Sequence, residues 1–363
     1  MINPSRKAVF STDTQNPYFD PDMQNKLIKN SVYRDIKLSV IYSLLMILIS
    51  YLASAALITG LMLPPIFFPS FNNGVYIKIA EAVAYTAQMV LPTIFYIVLT
   101  RKTLGDLYYS GTFALPRQTC EKVTPCSILS YFFIAFSLSQ IIASLGGILT
   151  FFVSFLGSLI SPNLVLDNAA YDLPIPQNTV EFLLNFISVA ILPAILEELL
   201  FRGAILGEFL KYGKTFAICI SAFLFSSVHG SIDQMMYSFV FGLIFGYIAV
   251  KTGSLTTGII IHFLNNAYSC VAEYLGIIYD TDIFWNILSV VNLAFVTTGL
   301  VLLIYKIIKN KLTYTEIHDS QKQPFELSEK EKFRIFLSPV MIFYYAYILF
   351  ETLYVYFSYN ITN

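Results

Sequence analysis

The chain has 363 residues, of which 56% are hydrophobic and only 12% are charged, and its mean hydropathy is +0.67. Ordinary globular proteins carry about 25% charged residues, so this composition excludes a soluble protein of two or three domains. The formal net charge of −1 implies no general attraction to nucleic acid, and no nucleic-acid partner is predicted. The predicted partner is the lipid bilayer.

Nine stretches are apolar and long enough to be candidate membrane spans, because roughly 20 apolar residues cross about 30 Å of hydrocarbon. In chain order they are 38–63, 79–100, 127–160, 178–212, 215–231, 234–250, 254–275, 283–308 and 335–357. The third and fourth are too long for one straight crossing. We expect a kink at Gly146-Gly147 in the third, and Pro193 should bend or break the fourth. The predicted fold class is an all-α, polytopic membrane helix bundle of about nine transmembrane helices.

The basic residues predict the orientation of these spans. With a cytoplasmic N-terminus and nine alternating spans, 21 of the 22 lysines and arginines fall on the cytoplasmic side, and only Lys78 lies outside. Lysine and arginine near span ends favour the cytoplasmic side. We therefore predict a multi-pass plasma-membrane protein with its N-terminus in the cytoplasm and its C-terminus outside.

The same pattern predicts six regions. They are a cytoplasmic N-terminal arm (1–37), N-terminal transmembrane helices and loops (38–177), a core rich in ionisable residues (178–275), an eighth span (276–308), a cytoplasmic linker (309–334) and an extra C-terminal span (335–363). The four cysteines form no CxxC pair, which predicts neither a disulfide framework nor a zinc knuckle.

Ionisable residues at bilayer depth are costly and are therefore candidates for function. Most of them lie between residues 197 and 273. Glu198 and Arg202 stand at i,i+4 with the acid first, which is the better orientation for an ion pair. Glu197 is turned about 100° away from Glu198, so it is free to face a cavity as a general base. The alternative is that both acids share Arg202 and merely neutralise a bent helix.

Two of the three histidines lie in the same stretch. Phe225 precedes His229 by one turn, and His262 precedes Asn266 by one turn, so each pair shares a helix face. Glu197 and His229 are each 16 residues from the turn at 213, which places them at a similar depth in an antiparallel helix pair. A lone buried histidine is usually a packed core residue. Two histidines beside a Glu-Glu-Arg cluster favour a functional site, because an inert helix bundle can form its interhelical hydrogen bonds with Ser, Thr or Asn.

Three kinds of chemistry fit these residues. In the first, Glu197 and His229 activate a water. His262 and Asn266 then donate hydrogen bonds to the oxyanion formed when that water attacks an amide. In the second, Glu197, His229 and His262 bind a divalent metal that activates the water. In the third, the cluster relays protons or ions in a transporter. A Ser226–His229 dyad is disfavoured, because serines in membrane helices are usually packing residues.

At these positions the chain resembles the CPBP intramembrane proteases, the family of type II CAAX prenyl endopeptidases and Abi, lysostaphin-resistance-like proteins. The resemblance covers about residues 178–275. The family motifs EExxxR, FxxxH and HxxxN/D occur in order, as Glu197-Glu198 with Arg202, Phe225 with His229, and His262 with Asn266.

The resemblance implies an endopeptidase that cuts a membrane-associated protein or peptide, with residues 178–275 as its catalytic core. The roles it implies are catalytic for Glu197, His229, His262 and Asn266, and supporting for Glu198, Arg202 and Phe225. The family's usual core has about eight spans, so the ninth span and the N-terminal arm extend beyond it.

The family is also described as metalloendopeptidases, and zinc held by Glu197, His229 and His262 stays open. Chemistry without a metal suits the residues better, because Asn266 is a poor zinc ligand and a good oxyanion donor. The remaining alternatives are a catalytically silent membrane scaffold or immunity protein of the same fold, and a proton-coupled transporter.

Overall fold

The structure is a computed structural model that describes residues 21–67, 74–100, 123–160, 176–229, 232–309, 311–312 and 328–362. All regular structure within these ranges is helical. The helices are α1 (Pro21–Phe67), α2 (Gly74–Thr100), α3 (Pro125–Ile160), α4 (the helical run 179–212), α5 (Lys214–Ser227), α6 (Ile232–Thr252), α7 (Thr256–Tyr279), α8 (Asp282–Ile308), α9 (Glu329–Phe336) and α10 (Pro339–Thr362). Residues 1–20 of the predicted arm and 313–327 of the predicted linker lie outside the described ranges, and α1 begins within the arm.

The predicted all-α, polytopic bundle is confirmed. Six described segments are long and apolar enough to cross a membrane, and they lie in α1, α2, α3, α4, α6 and α8. The pair α9 and α10, which is bent by 46°, brings the number to seven. Every predicted span corresponds to a described helix or helix pair. However, α5 has 14 residues and is about 21 Å long, which is too short for about 30 Å of hydrocarbon. Helix α7 is long enough to cross a membrane, with 24 residues. It is not among the six segments because its polar residues, which include His262 and Asn266, lower its mean hydropathy.

Contacts between helix ends bring together three segments that were predicted to be cytoplasmic. Lys29, near the start of α1, forms an ion pair with Glu331 of α9. The ammonium group of Lys332 in α9 lies against Gly213 in the α4–α5 turn. Gly213 has a φ of +123°, a backbone conformation that glycine adopts without steric cost. These contacts place the start of α1, the α4–α5 turn and α9 at the same end of the bundle.

Helix α4 continues through Pro193 and changes its winding on both sides of it. In order it contains an α-helix (Thr179–Phe186), a π-helix (Ile187–Ile191), an α-helix (Leu192–Glu197), a second π-helix (Glu198–Leu206), an α-helical turn (Gly207–Phe209) and a 3₁₀ turn (Leu210–Tyr212). The predicted break at Pro193 therefore does not occur, and a π-helical segment ends two residues before the proline. Helix α3 also runs through Gly146-Gly147 without interruption.

The second π-helix of α4 lies at the centre of the bundle. Its apolar side chains Leu200, Phe201 and Ile205 are fully buried. Around it the helices approach closely through small residues. A Cβ at Gly242 in α6 would come within 2.7 Å of the Ala222 Cα in α5, so glycine is needed for this contact. The α4 segment that carries the Glu-Glu-Arg motif is itself packed against α2, α5 and α6.

Candidate active site

A cavity of about 620 Å³ lies between the helices and collects most of the predicted site residues. Its lining includes Glu197, Phe225, His229, His262 and Asn266, which come from α4, from α5 and the turn after it, and from α7. The other two predicted residues, Glu198 and Arg202, are fully buried and do not belong to the lining. The arrangement agrees with the expectation that Glu197 faces a cavity while its neighbour pairs with the arginine.

Five side chains from three helices form a continuous polar chain that begins at the cavity wall and ends in the buried interior. The Tyr85 hydroxyl donates a 2.6 Å hydrogen bond to Glu197 Oε1, and Glu197 Oε2 lies 3.7 Å from His262 Nε2. On the other side of the ring, His262 Nδ1 lies 3.3 Å from Glu198 Oε1. That oxygen is also 3.0 Å from Arg202 Nη1. His262 therefore stands between the two glutamates and connects them.

Two aromatic rings pack against the guanidinium group of the buried Glu198–Arg202 ion pair. The Arg202 guanidinium carbon lies 4.2 Å from the centroid of the Phe225 ring and 5.3 Å from that of Phe245. Nη1 is at ion-pair distance from Glu198, but none of the three guanidinium nitrogens has a hydrogen bond of good geometry within the described residues. Cation–π attraction is strongest where water is excluded. Arg202 thus couples the Glu-Glu-Arg motif to the phenylalanine of the second motif.

His229 lies in the turn that follows α5, and its ring orientation is set by a backbone carbonyl. Its Nδ1 is 2.9 Å from the carbonyl oxygen of Phe225. A carbonyl can only accept a hydrogen bond, so Nδ1 carries the hydrogen and Nε2 of the neutral ring keeps its lone pair. The Phe225 ring also packs edge-on against the imidazole at 5.0 Å. His229 is therefore oriented to accept a proton at Nε2.

Asn266 lines the cavity and also joins α7 to α4. Its Nδ2 donates a 2.9 Å hydrogen bond to the Val189 carbonyl, and its Oδ1 accepts from Asn265 Nδ2 at 3.2 Å. In a regular α-helix the Val189 carbonyl would accept from residue 193, but proline has no N–H. One Nδ2 hydrogen of Asn266 thus makes a structural bond, while the amide carries a second.

The predicted zinc ligands are not arranged as a three-ligand site. Within the residues that the structure describes, no group of three or more His, Cys, Asp or Glu side chains could hold a metal ion. His262 is placed between two carboxylates, and His229 turns Nδ1 towards the Phe225 carbonyl. Metal binding by these residues therefore stays a prediction.

Sequence reasoning missed the neutral polar residues of the cavity. Tyr85, which contacts Glu197, and Gln88 both line it from α2, together with Glu81. Glu81 also forms an ion pair with Lys78 at 3.3 Å. Residues 81, 85 and 88 repeat at helical spacing, so they share a face of α2. This polar stripe is the pattern in the sequence that could have indicated a cavity-lining face of α2. A single tyrosine among 25, however, does not stand out as a site residue.

Comparison with protein families agrees with the motif pattern. Residues 179–268, about a quarter of the chain, match the family described as type II CAAX prenyl endopeptidase Rce1-like. The matched segment begins in α4, ends in α7 and contains all the predicted site residues. The resemblance inferred from the motifs is therefore confirmed, and at the level of the family it supports a CAAX-type intramembrane protease. Neither a search of the curated proteins nor a search of the solved structures gave a match.

Proposed function

We propose that this protein is an intramembrane endopeptidase that hydrolyses a peptide bond of a membrane-associated protein or peptide. The observation that carries the proposal is the convergence of Glu197, His229, His262 and Asn266 on one cavity. They lie within the segment that matches a protease family. A silent scaffold or a transporter would not need all four groups in this arrangement.

The first step is the activation of a water molecule by Glu197 and His229. The Phe225 carbonyl holds the His229 ring so that Nε2 presents its lone pair to the cavity. Nε2 takes a proton from the water while the Glu197 carboxylate, anchored by Tyr85, orients it. The resulting hydroxide attacks the carbonyl carbon of the scissile bond. General-base assistance of this kind contributes typically 10²–10⁴-fold to the rate.

The second step places negative charge on the carbonyl oxygen of the substrate. The donors that we assign to this oxyanion are the second Nδ2 hydrogen of Asn266 and Nε2 of His262, which donates there as an imidazolium whose Nδ1–H faces Glu198 Oε1. Both are fixed before the substrate arrives, His262 by Glu198 and Asn266 by the Val189 carbonyl. Preorganised donors of this kind are worth about 2.7–4 kcal/mol each in transition-state stabilisation. The proton held by His229 then passes to the amide nitrogen as the carbon–nitrogen bond breaks, leaving a carboxylic acid and an amine.

Cleavage of a peptide substrate in liposomes tests the proposal. We expect the wild-type protein to cleave, and Glu197→Ala and His262→Ala to lose activity. Glu208→Gln is a matched control, because Glu208 also lies in α4 but bonds to Ser39 and Tyr96 and does not belong to the cavity lining. Equal cleavage by wild type and both alanine variants would contradict the catalytic assignment.

We propose that the protein lies in the plasma membrane with its N-terminus in the cytoplasm. The distribution of lysine and arginine along the sequence supports this orientation. It is also consistent with the meeting of α1, the α4–α5 turn and α9 at one end of the bundle. A reporter fused after Lys214 should be found inside the cell, and its appearance outside would overturn the orientation.

A further inference from the structure

Carboxamide side chains line the cavity from five helices. They are Gln88 of α2, Gln140 of α3, Asn185 of α4, Gln234 of α6 and Asn265 of α7. A carboxamide has two N–H donors and an acceptor oxygen, as a peptide group has both a donor and an acceptor. The cavity wall can therefore pair with the backbone of a bound peptide on several sides.

Polar residues in membrane bundles usually bond to one another across helices, and part of this set does so. Asn185 contacts Cys270 Sγ at 3.7 Å, and Asn265 bonds to Asn266. The side-chain amides of Gln88 and Gln140, however, have no hydrogen-bond partner within the described part of the chain. Interhelical bonding therefore does not account for them.

Gln88 is also close to the proposed chemistry. It follows Tyr85 by three residues on α2, so the two side chains share a face of the helix. Tyr85 contacts Glu197, and both Tyr85 and Gln88 line the cavity. The carboxamide of Gln88 is thus about one helical turn from Tyr85, the residue that anchors Glu197.

We infer that Gln88 and Gln140 pair with the backbone of the peptide segment that the cavity binds. The inference rests on the proposed function and names two residues that hold its substrate. A chain unwound in the membrane loses its internal hydrogen bonds, and each unsatisfied backbone group costs several kcal/mol. The carboxamides replace those bonds at the place where the scissile bond must be exposed.

The test measures binding and does not require cleavage. Two fluorescent peptides share one apolar sequence of about ten residues with lysines at both ends, and one of them is N-methylated at alternate residues. Their affinities for the Glu197→Gln protein in detergent are compared by anisotropy. We expect N-methylation to weaken binding about tenfold or more. Gln88→Leu and Gln140→Leu should each weaken binding of the unmethylated peptide about fivefold, the equivalent of one hydrogen bond. Both substitutions should change the affinity for the methylated peptide much less.

Thr86→Val is the matched control, because the Thr86 hydroxyl bonds to the Ala82 carbonyl of its own helix and does not line the cavity. It should leave both affinities unchanged. Equal binding of the two peptides to the Glu197→Gln protein would overturn the inference, even if the glutamine variants fail to fold. If N-methylation weakens binding but the wild-type protein does not cleave its substrate, only the proposed function is contradicted. Cleavage without backbone dependence contradicts only this inference.

Discussion

The hydroxyl of Tyr85 donates a 2.6 Å hydrogen bond to the carboxylate of Glu197 across 112 residues of sequence. Tyr85 lies in α2, outside the segment 179–268 that matches the protease family. The carboxylate that we propose to orient the attacking water is therefore held in place by a helix that the family match does not include. Glu197 Oε1 is engaged by this bond, which leaves Oε2 on the side of His262.

Replacement of Tyr85 by phenylalanine should lower kcat and leave KM nearly unchanged. A hydrogen bond to a charged group contributes about 1.5–3 kcal/mol, so we expect a fall of about tenfold or more in steady-state kinetics. Tyr96→Phe is the control, because Tyr96 lies in the same helix and its hydroxyl bonds to Glu208 at 3.3 Å. Equal kcat values for the two variants would show that the Tyr85 hydroxyl does not position the Glu197 carboxylate for catalysis.

Adjacent glutamates should respond differently to the same substitution. Glu197→Gln should abolish cleavage with little change in thermal unfolding temperature, because Glu197 faces the cavity. Glu198→Gln should lower the unfolding temperature, because it removes the carboxylate paired with buried Arg202. Arg202→Met alone leaves an uncompensated buried charge, which typically costs 3–5 kcal/mol. The double variant Glu198→Gln/Arg202→Met should be more stable than Arg202→Met, and a purely additive loss would argue against the pair.

The two roles of Asn266 can be separated through Pro193. Asn266→Ala removes the donor to the Val189 carbonyl as well as a proposed oxyanion donor. In a Pro193→Ala background, residue 193 regains an N–H that can reach that carbonyl. Thermal unfolding should therefore show a smaller loss of stability from Asn266→Ala in this background. Activity should stay low in both, and its recovery in the double variant would mean that Asn266 is only structural.

The C-terminal helix α10 should support the turn that carries His229. The Tyr344 hydroxyl lies 2.6 Å from the Ser227 hydroxyl at the end of α5, and Phe223 packs against Tyr344 and Tyr345. Tyr344→Phe should lower kcat about fivefold, as expected for one lost hydrogen bond. Tyr345→Phe should leave kcat unchanged, because the Tyr345 hydroxyl bonds to the Phe336 carbonyl at the end of α9 and not to α5. Indistinguishable kcat values would leave α10 without a part in catalysis.

Exhaustive chelation followed by elemental analysis tests the zinc alternative. We expect cleavage to survive treatment with a strong chelator, because the described acidic and histidine side chains do not form a three-ligand group. The purified protein should then contain much less than one zinc per chain. Loss of activity that zinc alone restores would instead support Glu197, His229 and His262 as metal ligands.

The membrane class and the helical fold followed from the sequence, and most of the residues that it marked as a candidate site line one cavity. Charge is scarce in this chain, so the few ionisable groups at bilayer depth stand out, and the cost of placing them in lipid is a property of each residue and its neighbours. The i,i+4 spacing of Glu198 and Arg202 was enough to predict their pairing, since one helix sets both positions.

Only the tertiary structure decided how the groups from different helices pair. It placed His262 between both glutamates, turned His229 onto the Phe225 carbonyl and brought Tyr85 to Glu197. It also made α5 shorter than a membrane span. These contacts depend on the rotation and offset of packed helices, which a local pattern does not determine. Neutral residues such as Tyr85 and Gln88 leave no mark in charge or hydropathy, so their positions in the site emerge only when the helices are assembled.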